Sequence, residues 1–160
     1  MAKQLSSKLT LIRTVSFPSL GVERGGKKVL LGIGGNIGNV VRRFGYLLSY
    51  LRRSMCLRIL ETSPILKNPP FGYTQQDDFY NALLLIETSL SPKDLLRYLL
   101  RVEKVFGRKR SFPDAPRTLD IDMIFYERVT MHTKFLTLPH HGWSDRASVL
   151  IPLSYMKRFV

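Results

Sequence analysis

Two carboxylates one residue apart dominate the chemistry available to this chain, in the run Arg117-Thr118-Leu119-Asp120-Ile121-Asp122. In a strand, residues two apart share a face, so Asp120 and Asp122 project together while Leu119, Ile121 and Met123 enter the opposite layer. Side by side they repel unless a proton or cation lies between them. The pair reads either as a hard-metal site, most naturally magnesium holding a phosphate chain, or as solvated acids on a half-exposed strand. Its neighbours favour the metal. Arg117 adjoins it, and Arg108-Lys109-Arg110 precedes it on a basic loop; guanidinium groups match phosphate oxygens bidentately.

A further polar cluster is Pro139-His140-His141 with Arg146. The remaining histidine, His132, is poorly spaced for zinc and no cysteine helps, so contact of His140 and Arg146 with an anion fits better, ordinary surface histidines being the alternative. The loop Gly34-Gly35-Asn36-Ile37-Gly38-Asn39 begins a G-x-G pattern with Gly32. Ile37 stands where a dinucleotide fingerprint needs glycine, and no phosphate-loop motif G-x-x-x-x-G-K-[ST] occurs.

These groups must be positioned by a small α+β fold. Val29 to Ile33 reads as a buried strand, and residues 40, 41, 44, 47, 48 and 51 form the apolar stripe of a helix capped by Asn39, with Arg42, Arg43, Arg52 and Arg53 outside. Leu57 to Thr62 reads as a strand, residues 63–77 as a long loop, and Phe79 to Thr88 as a third strand. Ser91-Pro92-Lys93-Asp94 opens a second helix ending at Gly107; a basic loop, 108–116, leads to a fourth strand, Thr118 to Tyr126. Ser144 to Met156 is expected as a short helix broken near Pro152. The order is that of a ferredoxin-like βαββαβ core with a mainly antiparallel sheet and an additional C-terminal element.

The chain has 160 residues, enough for one domain. Apolar residues at 44% and charged residues at 23% are globular values, whereas 25 Lys and Arg against 12 Asp and Glu leave a formal charge of +13. Such a surplus points to an anionic ligand or polyanionic partner. A lone cysteine, Cys56, excludes a disulfide framework. No apolar run approaches the roughly 18 residues needed to cross a bilayer, so a cytoplasmic protein is expected. Residues 1–28 are basic and Ser-rich; Leu9, Leu11, Val15 and Phe17 alternate as in a short strand, so they read as an N-terminal extension to a domain spanning 29–160. An RNA-binding module of the same topology is the alternative class. The third strand, however, lacks the glycine and aromatic spacing of an RNA-stacking platform.

With these residues laid out, the chain resembles the 6-hydroxymethyl-7,8-dihydropterin pyrophosphokinase family. The matching pieces are Leu31-Gly-Ile-Gly-Gly-Asn-Ile-Gly38, Glu61-Thr-Ser-Pro64, Asp78-Phe-Tyr-Asn-Ala82, Glu103 with Phe106-Gly-Arg108, Ala115-Pro-Arg-Thr-Leu-Asp-Ile-Asp122, Leu136-Thr-Leu-Pro-His140, and Arg146 with Val149-Leu-Ile-Pro-Leu153. The resemblance implies transfer of diphosphate from ATP to the hydroxymethyl oxygen of the dihydropterin, releasing AMP, in folate biosynthesis. It implies two magnesium ions on Asp120 and Asp122, and Arg108 and Arg117 as catalytic charges along the phosphates. Glu103, Arg110, Thr137, His140 and Arg146 would serve ATP; Thr62, Phe79 and Asn81 would serve the pterin. Closure of the loops 63–77 and 107–116 would exclude water. A monomer with small-molecule substrates, without membrane or nucleic-acid partners, is expected. Several positions depart from the family pattern: Gly35 for serine, Asp114 for the tryptophan of some members, His141, and Ser148 for the second aromatic of a pterin sandwich, so that either Phe71, Tyr73, Phe112 or Trp143 substitutes for it or pterin binding is weaker. A catalytically weakened relative that only binds these ligands would also fit those departures.

Overall fold

The computed structural model describes the chain except Phe71, Arg110 and Val160. Three short strands come first: β1 (Ala2–Gln4), β2 (Thr10–Ile12) and β3 (Ser19–Leu20). They are followed by β4 (Lys27–Gly35), α1 (Val40–Arg52), β5 (Leu57–Thr62), β6 (Ile65–Asn68), β7 (Phe79–Thr88), α2 (Pro92–Val105) and β8 (Asp120–Tyr126). A small ribbon, β9 (Met131–His132) with β10 (Thr137–Leu138), a 3-10 turn (Trp143–Asp145) and α3 (Ala147–Leu153) complete the chain.

The core strands lie in the order β5, β7, β4, β8, all antiparallel, which is the ferredoxin-like arrangement with α3 added. The helix caps form as the sequence predicts. Asn39 Oδ1 accepts from the Arg42 N–H at 3.1 Å, and Ser91 Oγ accepts from the Asp94 N–H at 3.2 Å. Helices α1 and α2 bury Phe44, Leu47, Leu51, Leu95, Leu99 and Val102 on one face of the sheet, against Leu31, Ile33, Leu84, Ile121 and Met123. The opposite face carries a much smaller cluster, Leu30, Leu83 and Ile124 beneath Val149 of α3. Part of that face is left open as a cleft.

Two segments differ from the sequence-based expectation. Residues 63–77 are not all loop, because Ile65–Asn68 forms β6, pairing with β7 on one side and β2 on the other. Bracketing prolines hide a four-residue strand whose second partner comes from the far N-terminus. The C-terminal helix is shorter than 144–156: the 3-10 turn precedes it, and Pro152, which has no N–H to donate to the Ser148 carbonyl, sits next to its last residue.

Residues 1–28 are built into this sheet. β1 and β2 form a hairpin that docks on β6, and β3 pairs with β5. Phe17 is 1% exposed and packs against Phe44 with ring centroids 5.9 Å apart, although Val15 points wholly to solvent. The chain's end is fastened by buried Glu61, whose carboxylate accepts from the backbone N–H groups of Lys157 at 2.6 Å and Arg158 at 2.7 Å. Phe159 stacks on Phe125 beside it, and the Arg158 guanidinium donates to the Gly21 and Leu60 carbonyls. Because Phe17 fills a gap over α1, Phe17→Ala should cost about 3–5 kcal/mol of stability. A lowered denaturant midpoint with unchanged slope would be the readout, and an unchanged midpoint would show that the strap contributes nothing to the core.

Candidate active site

Strand pairing assembles a cleft on the open face. Gly34 of β4 stands between Asn81 of β7 and Asp120 of β8, and Gly32 stands between Leu83 and Asp122. Because side chains alternate, these residues share the face that the helices leave uncovered. The two glycines leave a trough of about 310 Å³ between the amide and the carboxylates, walled on the far side by Arg146, Ser148 and Val149. A Cβ on Gly34 would lie 2.6 Å from Asn81 Oδ1. At Gly35 it would lie 2.6 Å from the Thr118 carbonyl oxygen, which gives a local reason for glycine there in place of serine. That close approach continues in Asn36, whose N–H donates to the Arg117 carbonyl while its side-chain oxygen accepts from the Arg117 N–H, both at 2.9 Å. Arg43 braces the same turn by donating to the carbonyls of Ile37 and Thr118, so one arginine of the basic helix face is structural.

The charged end of the trough is crowded. Arg117 Nη1 lies 3.1 Å from Asp120 Oδ2, and Arg108 Nη1 lies 3.5 Å from Asp120 Oδ1. The Arg117 guanidinium also sits over the Phe79 ring, 5.0 Å from its centroid. Among the described residues Asp122 has no such arginine pair; its Oδ2 is 3.9 Å from His140 Nε2. Desolvation in the cleft, then the charges of Asp120 and Glu103, push the Asp122 pKa up to about 7, with Arg146 and Arg117 opposing. Glu103 acts from behind. It is 2% exposed, and its Oε2 accepts from the Ile121 N–H at 2.7 Å, so it fixes β8 from the helix side and reaches the cleft through its field.

His140 is placed by a bulge. Leu30 and Leu31 pair with Phe125 and Met123, leaving Ile124 as the extra residue, and its carbonyl accepts from the His140 N–H at 2.8 Å. Burial, then the neighbouring Arg146, lowers the His140 pKa below the ordinary imidazole value. Its Nδ1 is buried with no hydrogen-bond partner among the described residues. Arg146, leading into α3, lines the cleft, whereas Thr137 lies on the β9–β10 ribbon and is not among the lining residues. Arg110 lies outside the described residues.

At the other end, Phe79 and Asn81 both line the cleft, as the resemblance leads one to expect of pterin contacts. Thr62 does not. It pairs with Leu84, whose side chain belongs to the helix-side core, so its hydroxyl emerges on the wrong face and donates to the Ser16 carbonyl. Asn68 occupies the place instead: its Oδ1 accepts from Asn81 Nδ2 at 2.6 Å, beside Pro69 and Pro70. The sequence signal for it was Asn68-Pro69-Pro70, a polar residue ending a short apolar run. Asn36 and Gln76 were likewise unforeseen. Asn36 Nδ2 donates to Gln76 Oε1 at 2.9 Å, and Gln76 Nε2 donates to the Asp114 carbonyl at 2.9 Å, linking the glycine turn to both long loops. Of the aromatic substitutes, Tyr73 and Phe112 pack on each other at 5.4 Å and Trp143 packs on Phe125 at 4.8 Å, all outside the cleft wall. Phe71 lies outside the described residues.

The family model for 7,8-dihydro-6-hydroxymethylpterin-pyrophosphokinase (HPPK) matches residues 30–158. The chain belongs to the HPPK family. It is 43% identical over 142 residues to the 2-amino-4-hydroxy-6-hydroxymethyldihydropteridine pyrophosphokinase of Helicobacter pylori, covering 86% of this chain and 87% of that protein. The protein of the same name from Campylobacter jejuni is 42% identical over 124 residues, covering 78% of this chain and 79% of its own. The folic acid synthesis protein fol1 of Schizosaccharomyces pombe is 35% identical over 127 residues, which span 79% of this chain and 17% of that longer protein. In HPPK terms the trough thus joins an acidic and arginine-rich end to a flat, amide-edged end on one sheet face.

The raised Asp122 pKa fixes a pH dependence. A carboxyl that holds its proton more tightly when folded than unfolded loses stability as pH rises from the unfolded value of about 3.8 through about 7. In metal-free buffer, Asp122→Asn should therefore be more thermostable than the unaltered chain at pH 8 and indistinguishable from it at pH 4. Equal melting temperatures at both pH values would refute the crowding.

Proposed function

We propose that this chain transfers diphosphate from ATP to the hydroxymethyl oxygen of 6-hydroxymethyl-7,8-dihydropterin, releasing AMP. The observation that carries this reading is the trough itself: Asp120 and Asp122 lie at one end of a single sheet face, Phe79 and Asn81 at the other. A phosphate chain and a flat heterocycle can meet over Gly32 and Gly34. The names borne by the relatives support the same reaction.

Asp120 and Asp122 suit magnesium. They present carboxylate oxygens on one face, and magnesium takes one or two carboxylates with substrate oxygens completing its shell. Two such ions would supply charge neutralisation and alignment of the phosphates. The chain's own residues do the rest. Arg108 and Arg117, both within ion-pair distance of Asp120, flank the place where the phosphates would lie and can offset charge that develops on the oxygen between the β-phosphorus and the departing AMP. His140, kept neutral near pH 7 by burial and Arg146, offers a hydrogen bond at the nucleotide side, with Arg146 as the partnering charge. Asn81 and Asn68 read the edge of the pterin and Phe79 supports its ring. Glu103 holds the metal strand in place, and the Asn36–Gln76–Asp114 bonds keep the two loops together over the site, limiting water.

Residues 29–160 form the catalytic unit in this reading, and 1–28 a strap and hairpin that complete its sheet. The protein works as a cytoplasmic monomer on small molecules, without a nucleic-acid partner. An RNA-binding module would offer RNA the open sheet face, but that face holds Asp120 and Asp122 and is crossed by α3. No helix is long and apolar enough to cross a membrane among the described residues. AMP release from ATP, with and without the dihydropterin, tests the reaction. Asp120→Ala and Asp122→Ala should each lower turnover at least about 100-fold, since lost metal charge costs several kcal/mol in the transition state. Full activity in both would remove the metal assignment.

A further inference from the structure

The N-terminal hairpin reaches the cleft. β2 pairs with β6 through Thr10↔Lys67, Leu11↔Leu66 and Ile12↔Ile65, and β6 pairs with β7 through Leu66↔Asn81 and Asn68↔Phe79. Leu11, Leu66 and Asn81 therefore form one row across three strands, all on the cleft face. Leu9 stands two residues before Leu11, just past the last paired position, so by alternation it belongs to the next row, with Asn68 and Phe79. Its side chain lines the cleft, half-buried, on the far side of Asn68. The turn that carries it is fixed: the Leu5 N–H donates to the Leu9 carbonyl at 2.8 Å and the Ser6 N–H at 3.3 Å, while β1 closes the hairpin behind. Residue 9 lies well before the segment matched by the family model, which begins at residue 30.

We propose that Leu9 is a pterin-binding residue, an aliphatic wall supplied to the substrate cleft by the N-terminal hairpin. This rests on the reading of the cleft as a pterin site. Among the described residues lining it, Phe79 is the one Phe, Tyr or Trp, and α3 contributes only short side chains there, Ala147, Ser148 and Val149. A heterocycle lying on Phe79 with its edge at Asn68 and Asn81 leaves apolar surface toward the hairpin. Leu9 covers that surface and keeps water from the 2.6 Å bond between the two amides, which strengthens in a drier setting. The phosphate end, at Asp120 and Asp122 on β8, is separated from β2 by three intervening strands and does not feel the change.

The test titrates 6-hydroxymethyl-7,8-dihydropterin into the full chain with magnesium and a non-hydrolysable ATP analogue, so that binding is read without turnover. Leu9→Ala should weaken pterin binding about tenfold, from the lost apolar contact, with Leu9→Met restoring it and ATP-analogue affinity unchanged in both. In the AMP-release assay the same variant should raise the pterin KM with kcat within about twofold. Unchanged pterin affinity in Leu9→Ala overturns the proposal. So does an equal loss for pterin and ATP analogue, which would mean that the hairpin had merely shifted. Pterin binding without AMP release would reject the reaction and leave Leu9 judged by its variants, whereas no pterin binding to the unaltered chain rejects both.

Discussion

A β-strand turns successive side chains to opposite faces, and the groups that β7, β4 and β8 contribute to this cleft owe their position to that alternation. On β8, Asp120 and Asp122 face the trough while Ile121 and Met123 fill the layer under α1 and α2. On β7 the same parity sends Phe79 and Asn81 one way and Leu84 and Ile86 the other. Because β4 contributes Gly32 and Gly34 between them, the two functional ends are joined by bare backbone. A slip of one residue in either ladder would exchange the site for core and the core for solvent.

Holding two carboxylates on one face of a strand costs electrostatic energy, and the structure meets it unevenly. Asp120 draws Arg108 and Arg117, while burial and the charge of Asp120 push the Asp122 carboxyl up to about 7. These arginines account for part of the net charge of +13. Other basic side chains are spoken for structurally, Arg43 at the glycine turn, Arg58 on buried Glu87 and Arg158 at the chain's end. Exposed Lys3, Lys8, Arg24 and Lys27 carry surplus that suits the steering of an anionic substrate.

How much of this could be read from the sequence depended on range. The acid pair, the helix caps and the βαββαβ order are local or periodic signals, and they lie where the pattern puts them. Thr62 was misleading because a motif gives a residue's neighbourhood but not its parity, and a bulge at Leu60 in β5 complicates the count. β6 and Asn68 were hidden because that strand is completed by residues some 55 positions earlier in the chain. Gln76 offers no signal of its own, being one polar residue in a polar loop, and acquires its role only when Asn36 and Asp114 converge on it.

The buried Glu61 carboxylate also bears on how the cleft can breathe. α3 carries one wall, and it is held like a beam at both supports: ahead of it the chain is tied to the β8 bulge through His140, and beyond it the segment at Lys157 and Arg158 is gripped by Glu61. A beam clamped at each end keeps its span. Opening to admit ligand must then come from the opposite bank, where the long loops meet through a few side-chain hydrogen bonds and one aromatic contact. The cleft thus has one bank clamped at both ends and one held only by side-chain contacts between loops.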